Sequence, residues 1–574
     1  VCIRDGVIDA VGPDLSAPEG AQVMDAAGKL ITPGFINMHS HSDCSAAMYP
    51  NMESTLGQGI TTEFAGHCGL GVAPVQHSWL YMFPEKKAFT KVMPEPPGGI
   101  NPYNAYLVPT QRLREPFAQT YGQELDLTTY GQFLEHLRRV GLGANLAVVA
   151  GQAQIRLQAM GTDYHRDATE TEIAAMEGAL SEAMDGGALG LSLGLDYEPG
   201  LFAGREELLR LMKLVAARGG IVTAHTRSRS HPYYGHAQSF LDGLREFLDL
   251  GRESGVRIHV SHIQNGYNVT PAHDGLIRAA VAKTLEELDR ARQAGVNVTW
   301  DVIPKYAYGP FHYPMAASLF QPYVERCGGC AAFSRALTLP DFRRQVVEEI
   351  RTGRHPSQGV FTRFDPQADP AWDTRYRFTR VQRAGCVGKT IREAAQGADS
   401  LELLLDVLTE DPYAAMISLG RRPEHTPDRD AFVARTEATI GLDTWTLDYD
   451  AALSEGDLPL ECGSPATYEG MTVFLETERD KGAAIEETIR KLTGNAARTL
   501  GLTDRGFVSQ GLAADLLVLD WEHFSARENL ADPRHGPQGL DYVLVAGQIA
   551  VDHGVHTHVR SGTVLGPEHR KGEN

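Results

Sequence analysis

The sequence predicts an α/β protein: a (β/α)8 TIM barrel with a small β-sandwich domain built from both chain ends. Three observations predict it. Short apolar runs alternate with helical periodicity across the middle of the chain, those runs number eight, and the two termini share a different, turn-rich strand chemistry. A large barrel plus one small domain also suits 574 residues, since barrels routinely exceed the ~150 residues of an average domain.

The elements follow in order. Residues 1–35 read as part of a small antiparallel sheet: "VCIRDGVIDAVG" and "GAQVMDAAGKLITPGF" are β-branched runs, with Asp5-Gly6 as a hairpin turn. Residues 36–507 read as the barrel. Its candidate strands are "FINM" (35–38), "TTEFAG" (61–66), "NLAVVAG" (145–151), "ALGLSL" (188–193), "IVTAHT" (221–226), "RIHVSH" (257–262), "VNVTWD" (296–301) and "ATIGLD" (438–443). Helical stretches such as "TEIAAMEGALSEAMDGG" and "REELLRLMKLVAARGG" lie between them, each closed by glycine. Two insertions, 76–140 and 303–435, read as long and irregular, the signature of lids or binding loops. From 508 to 574, "ADLLVLD" and "DYVLVAGQIAVDHG" return to strand and turn chemistry and complete the small domain.

Composition narrows the function. With 73 acidic against 53 basic side chains the net charge is -20, which repels a phosphate backbone, and no basic patch with interleaved aromatics offsets it; nucleic acid is not the expected partner. No apolar run approaches the ~18 residues of a membrane span. Seven irregularly spaced cysteines point to a reducing compartment, hence a cytoplasmic setting, although a chain opening inside a strand pattern without Met is also compatible with a removed signal. A homo-oligomer is compatible with the reading.

"PGFINMHSHSD" places His39 and His41 two residues apart at the end of an extended run, where both imidazoles reach one point. Taken alone, such a pair is more often a solvated turn. The other strand ends change the odds: the second reaches Cys68 through "GHC", the fifth gives His225, the sixth His262 and the eighth Asp443. Singly, each has a plain reading: Cys68 as a small buried apolar residue, His262 as a core histidine, Asp443 as a helix cap. A barrel, however, brings all strand ends around one mouth, and their common position is hard to assign to chance.

"PGFINMHSHSD", "GITTEFAGHCGLGVAP", "GALGLSLGLDYEPG" and "IRKLTGNAARTLGLTDRGFVSQGLAADLLVLD", with the His225 and His262 strands, together resemble the amidohydrolase superfamily and, within it, the N-acyl-D-amino-acid deacylase (D-aminoacylase) group. The resemblance implies a zinc-dependent hydrolase of a linear amide in a small-molecule substrate, with one or two Zn2+ ions. It implies Cys68, in place of a carboxylated lysine, as ligand with His225 and His262 to one zinc, and His39, His41 and Asp443 around a second position. Asp443 then serves as general base and acid, with Asp448 as its rival because the Ser-Asp-Gly of the group is missing. Tyr197 is the candidate hydrogen-bond donor to the developing oxyanion.

The departures fall on substrate-reading positions. Gln264 stands where the group carries a lysine for the substrate carboxylate, Gln152 where it has a histidine, and "HTRSRS" keeps Arg227 but puts Arg229 in place of an acid. The expected pocket therefore favours a free carboxylate weakly, unless an arginine takes over. "CGGC" (327–330) reads as two loop cysteines around a turn, and "HPYYGH" (231–236) as a pocket loop. The alternatives are a hydantoinase-like hydrolase of cyclic amides, disfavoured by the missing fourth-strand lysine, and a non-catalytic scaffold, disfavoured by six retained ligand candidates.

Overall fold

The computed structural model describes residues 1–17, 19–74, 111–124, 127–196, 198–227, 240–264, 274–304, 311–312, 316–354, 366, 370–418, 426–451, 454–455, 458–459, 462–529 and 533–570. Every predicted apolar run contributes a parallel strand. Phe35–Ser40, Ile60–Ala65 and Asn145–Val148 pair in parallel, and so do Ala150–Gly151, Gly190–Gly194, Ile221–His225, Arg257–Val260, Val298–Val302 and Thr439–Ile440. The two sets are joined where the Leu189 N–H donates to the Val148 carbonyl (2.8 Å). At the other edge the Asp443 N–H donates to the His39 carbonyl (2.9 Å) and the His41 N–H to that of Thr444 (2.7 Å). All six residues of Phe35–Ser40 and of Ile60–Ala65 are buried, which is why these strands read as continuous runs rather than as alternation.

Helices cover these strands with their apolar faces. Glu170–Asp185 starts on a reciprocal cap, Thr169 accepting from the Glu172 N–H while the Glu172 side chain returns to the Thr169 N–H, and it buries Ile173, Met176 and Leu180. Phe240–Ser254 buries Leu244, Phe247 and Leu248 in the same way.

Strands from both chain ends share one small sheet. Leu30–Pro33 pairs antiparallel with Leu516–Leu519 in a five-stranded sheet that continues through Leu540–Val545, Gln548–Asp552 and Val555–His556. Beside it stands the hairpin Cys2–Arg4 and Val7–Ala10, whose turn puts Asp5 and Gly6 at φ 50° and 81°, the left-handed pair a tight hairpin needs. The expected span 508–574 is not all small domain. Val564–Leu565 leaves it and pairs in parallel with Asn145–Val148, a seat that Gly562 permits because a Cβ there would lie 2.2 Å from the Ala144 backbone.

The insertions are a second correction. Residues 111–121 and 130–140 are helical, and the described residues between 316 and 416 form a helical body with its own core, while Thr426–Val433 packs on the main core. Gln321–Cys327, Cys330–Leu337, Pro340–Arg351 and Ser400–Glu410 pack Phe320, Phe333, Val346, Leu404 and Leu405 against the hairpin Tyr376–Arg380 and Ala415–Ser418. Helices this short are held by tertiary packing, so their sequence signal is weak. The "CGGC" stretch joins two of them: its glycines make the turn as expected, but the cysteines end and start helices rather than lie in a loop, and Cys330 is buried in this core. Residues 231–236 lie outside the described residues. No helix among the described residues is long and apolar enough to cross a membrane.

Candidate metal centre

The strand ends converge. Cys68 Sγ lies 3.3 Å from His39 Nε2 and 3.3 Å from His262 Nε2, and Asp443 Oδ1 lies 3.3 Å from His39 Nε2 and 3.2 Å from His41 Nε2. One ligand atom from each of His39, Cys68, His262 and Asp443 falls within 4.8 Å of the other three, and all four residues are buried. His225 adjoins this group: it hydrogen-bonds to Cys68, and its ring stands edge-on to that of His262 at 4.8 Å between centroids.

Backbone and neighbours are spent on this convergence. Cys68, His262 and Asp443 have φ of 61°, 40° and 55°, in the left-handed region that costs a non-glycine residue on the order of 1–3 kcal/mol and that gathers at functional sites. Gly441 lets the eighth strand close, since a Cβ there would meet the His39 Cβ at 2.4 Å and Asp301 Oδ2 at 2.5 Å. Asp301, on the seventh strand, accepts from His39 Nδ1 (3.4 Å) and His259 Nε2 (3.0 Å). A proton on Nδ1 leaves His39 Nε2 as the lone-pair nitrogen facing Cys68 and Asp443.

The electrostatics ask for a cation. Burial pushes the Cys68 thiol up, yet the charges of His39 and His262 outweigh it and hold the thiol well below its ordinary value. Burial likewise raises Asp443, and again His39 and His262 prevail and keep it ionised. In return, burial lowers His39 and His41, but Asp301, Cys68 and Asp443 lift His39, and Asp443 and Cys68 lift His41 to about 9. Protons on imidazoles thus balance a buried thiolate and carboxylates, a role a divalent ion can take when those protons leave. One sulfur, several imidazole nitrogens and a carboxylate are a donor set that fits zinc.

Of the expected site residues, the structure brings His39, His41, Cys68, His262 and Asp443 together, with His225 beside them. Asp448 stands apart, half-buried, its Oδ1 taking a long bond from the Glu53 N–H (3.5 Å). Gln264 is buried two residues beyond His262. Two substrate-reading expectations are redirected. Arg227 spends its guanidinium on Glu246 (2.9 Å) and on the carbonyls of Leu201 (2.6 Å) and Ala203 (3.1 Å), fastening the loop after the fourth strand. Gln152 donates to Glu207 (2.7 Å), which also pairs with the buried Arg156. Tyr197 and Arg229 lie outside the described residues. Sequence reasoning missed Asp301, His259, Asp196 and Asn37. Asp301 had a signal in the acid closing "VNVTWD", whereas Asn37 had none, sitting inside an apolar run.

The chain has known relatives. A model of the amidohydrolase family matches residues 22–287. The N-acyl-D-glutamate deacylase of Alcaligenes xylosoxydans xylosoxydans is 26% identical over 571 residues, 98% of this chain and 92% of that one. The D-aminoacylase of the same organism is 29% identical over 566 residues, with the same two coverages. The solved structure of N-acyl-D-glutamate deacylase from Bordetella bronchiseptica, complexed with zinc and a phosphonate mimic of the tetrahedral intermediate, superposes with a TM-score of 0.63 at 24% identity, over 98% of this chain and 94% of that one, and so shares the fold. With sequence likeness along nearly the whole chain and a histidine-cysteine-aspartate cluster where the strands end, the chain is similar to the amidohydrolase family and to the D-aminoacylases and N-acyl-D-amino-acid deacylases.

Proposed function

We propose that the protein is a zinc-dependent hydrolase of the linear amide bond of an N-acyl amino acid or a closely related small molecule, built on a (β/α)8 barrel. The hydrogen bonds that run from the first strand to the eighth and back, through His39 and Asp443, support the barrel. The observation that carries the function is Cys68 Sγ placed 3.3 Å from both His39 and His262, beside Asp443. Cys68, His225 and His262 would hold one ion, and His39, His41 and Asp443 would flank a second position.

Bound zinc lowers the pKa of its water towards ~7 and polarises the amide carbonyl. Asp443 accepts the proton of the attacking water and returns it to the amine nitrogen, which leaves poorly as an anion. Its carboxylate is held for this by His39 and His41 and by the backbone bond from the Asp443 N–H to the first strand. Asp301 keeps His39 in one tautomer throughout. Tyr197 keeps its assignment as oxyanion donor from its place after the fourth strand. A reducing, cytoplasmic compartment suits a thiolate ligand. The test is metal content and turnover together: protein stripped of metal should not hydrolyse N-acyl amino acids, and added zinc should restore the reaction. Zinc-loaded protein that hydrolyses no linear N-acyl amino acid would overturn the proposal.

A further inference from the structure

We infer that Ser192, on the fourth strand, is a positioning residue for the Cys68 ligand, binding both ends of the loop that carries the sulfur. The inference rests on the zinc-hydrolase reading and deepens it. The loop runs from Gly66 to Gly69, with φ of 85° at Gly66, 61° at Cys68 and 71° at Gly69, a backbone that neither a strand nor a helix adopts. Its shape is therefore imposed by what its backbone groups bond to. Asp43 Oδ1 accepts the Gly66 N–H (3.0 Å), and the Gly69 carbonyl accepts the Ala153 N–H (3.0 Å). Ser192 bridges the two ends: its Oγ donates to the Gly66 carbonyl and accepts the Gly69 N–H (3.1 Å).

The fourth strand is shaped for this contact. Gly190, Ser192 and Gly194 alternate with Leu191 and Leu193, so one face of the strand Gly190–Gly194 carries a single hydroxyl between two glycines. The loop settles directly on its neighbours: a Cβ on Gly69 would lie 2.5 Å from the Gly194 nitrogen, and a Cβ on Gly66 would lie 2.1 Å from the Val149 carbonyl oxygen. Ser192 is fully buried, so without its hydroxyl the Gly66 carbonyl and the Gly69 N–H become unpaired groups inside the core. The consequence falls on Cys68, whose Sγ stands 3.3 Å from His39 Nε2 and from His262 Nε2. Freed at both ends, the loop relaxes its left-handed Cys68 and turns the sulfur away from that point. A zinc–sulfur bond of ~2.3 Å accommodates only ~0.2 Å of error, so a small rotation is enough to weaken it.

The test titrates metal-free parent, Ser192→Ala, Cys68→Ala and the double variant with zinc against a chromophoric chelator, and with cobalt(II), whose near-ultraviolet thiolate absorption reports the sulfur bond. Urea unfolding of the metal-free proteins records stability separately. Ser192→Ala should bind zinc ~10–100-fold more weakly, the loss typical of an outer partner, and its cobalt complex should show a weakened or shifted thiolate band. In the Cys68→Ala background the same substitution should change zinc affinity by no more than about twofold, because its effect runs through the sulfur. Parent-like zinc affinity and cobalt spectrum in Ser192→Ala, whatever its stability, would overturn the inference, as would an equal loss in both backgrounds. If Ser192→Ala does not fold, Ser192→Thr and Ser192→Val, alike in shape, compare the hydroxyl present and absent: the threonine variant should bind zinc at least ~10-fold more tightly, and equal affinities would overturn the inference. A parent that binds no zinc overturns the hydrolase reading as well, whereas a parent that binds zinc beside an unaffected Ser192→Ala overturns this inference alone.

Discussion

The side-chain oxygen of Asn37 accepts the Leu442 N–H at 2.9 Å, so the first strand holds the backbone immediately before Asp443. The same oxygen receives the His39 N–H (3.3 Å), and the Asn37 amide donates to Glu63 on the second strand (2.7 Å). One buried carboxamide thus sets the relative height of three strands, two of which bring His39 and Asp443 to the site.

Replacing Asn37 by Ala leaves the Leu442 N–H and the Glu63 carboxyl without this partner, at a cost of about 3 kcal/mol in stability. Zinc affinity should fall by ~10–100-fold, as it does when an outer partner is lost. Urea unfolding of the metal-free protein and zinc titration measure the two effects separately; undiminished zinc affinity would make the tie purely structural.

Cys68→Ala keeps the strained backbone and removes only the sulfur. Zinc binding should weaken by more than ~100-fold while the circular dichroism spectrum is retained, because a ligand contributes more than its supporting shell. Parent-like zinc content in this variant would reduce Cys68 to a core residue.

Asp443→Asn should lose ~10²–10⁴-fold in kcat, since an amide cannot take the proton of the attacking water. Asp448→Asn, away from the cluster, should stay within a few-fold of the parent. Steady-state kinetics at saturating zinc compare them, and equal losses would move the general base elsewhere.

Glu63 supplies a pH signature. Burial pushes its carboxyl up to about 7, against the hydrogen bonds from Thr55, Ser40 and Asn37 that pull it down. The folded protein holds this proton more tightly than the unfolded chain, where glutamate titrates near 4.5. Below that pH both states are protonated and Glu63 costs nothing. As pH rises towards 7 the unfolded chain alone releases its proton, and the fold loses about 3 kcal/mol from this residue. The stability of Glu63→Gln relative to the parent should therefore improve from pH 4.5 to 8 in urea titrations; a constant difference would mean that Glu63 is ionised in the fold.

With Arg227 bound to Glu246 and to two carbonyls, Gln264 is the proposed substrate-reading residue left to test among the described ones. Gln264→Lys should shift kcat/KM towards N-acyl amino acids over the matching amides by about 1.5–3 kcal/mol, the range of a bond to a charged group. A parent that already prefers the acids strongly would assign that role to Arg229.

The parallel strands were legible because most are buried on both faces, and the cluster because several end in a reactive side chain, as Phe35–Ser40 does with His39 inside it and His41 just behind. Asn37, Asp301 and Asp196 were harder to see. Buried polar residues that bond to other strands leave no periodicity, and what they do depends on which strand closes against which. Asp443 itself was found only by its place in "ATIGLD", although its left-handed φ is what aims it. The body within 303–435 was missed because its helices draw on a core of their own, supplied by residues far apart in sequence.

The strand Val564–Leu565, wedged beside Asn145–Val148, sets an order of events during biosynthesis. The Thr563 N–H bonds to Asn145 Oδ1 across 418 positions, so the third strand must wait for those residues to be made before that edge is covered. At ~5–20 residues per second that wait lasts roughly 20–80 s on a ribosome. Throughout it, a nascent sheet with an open edge is exposed to other chains, and only the arrival of Val564–Leu565 ends that exposure.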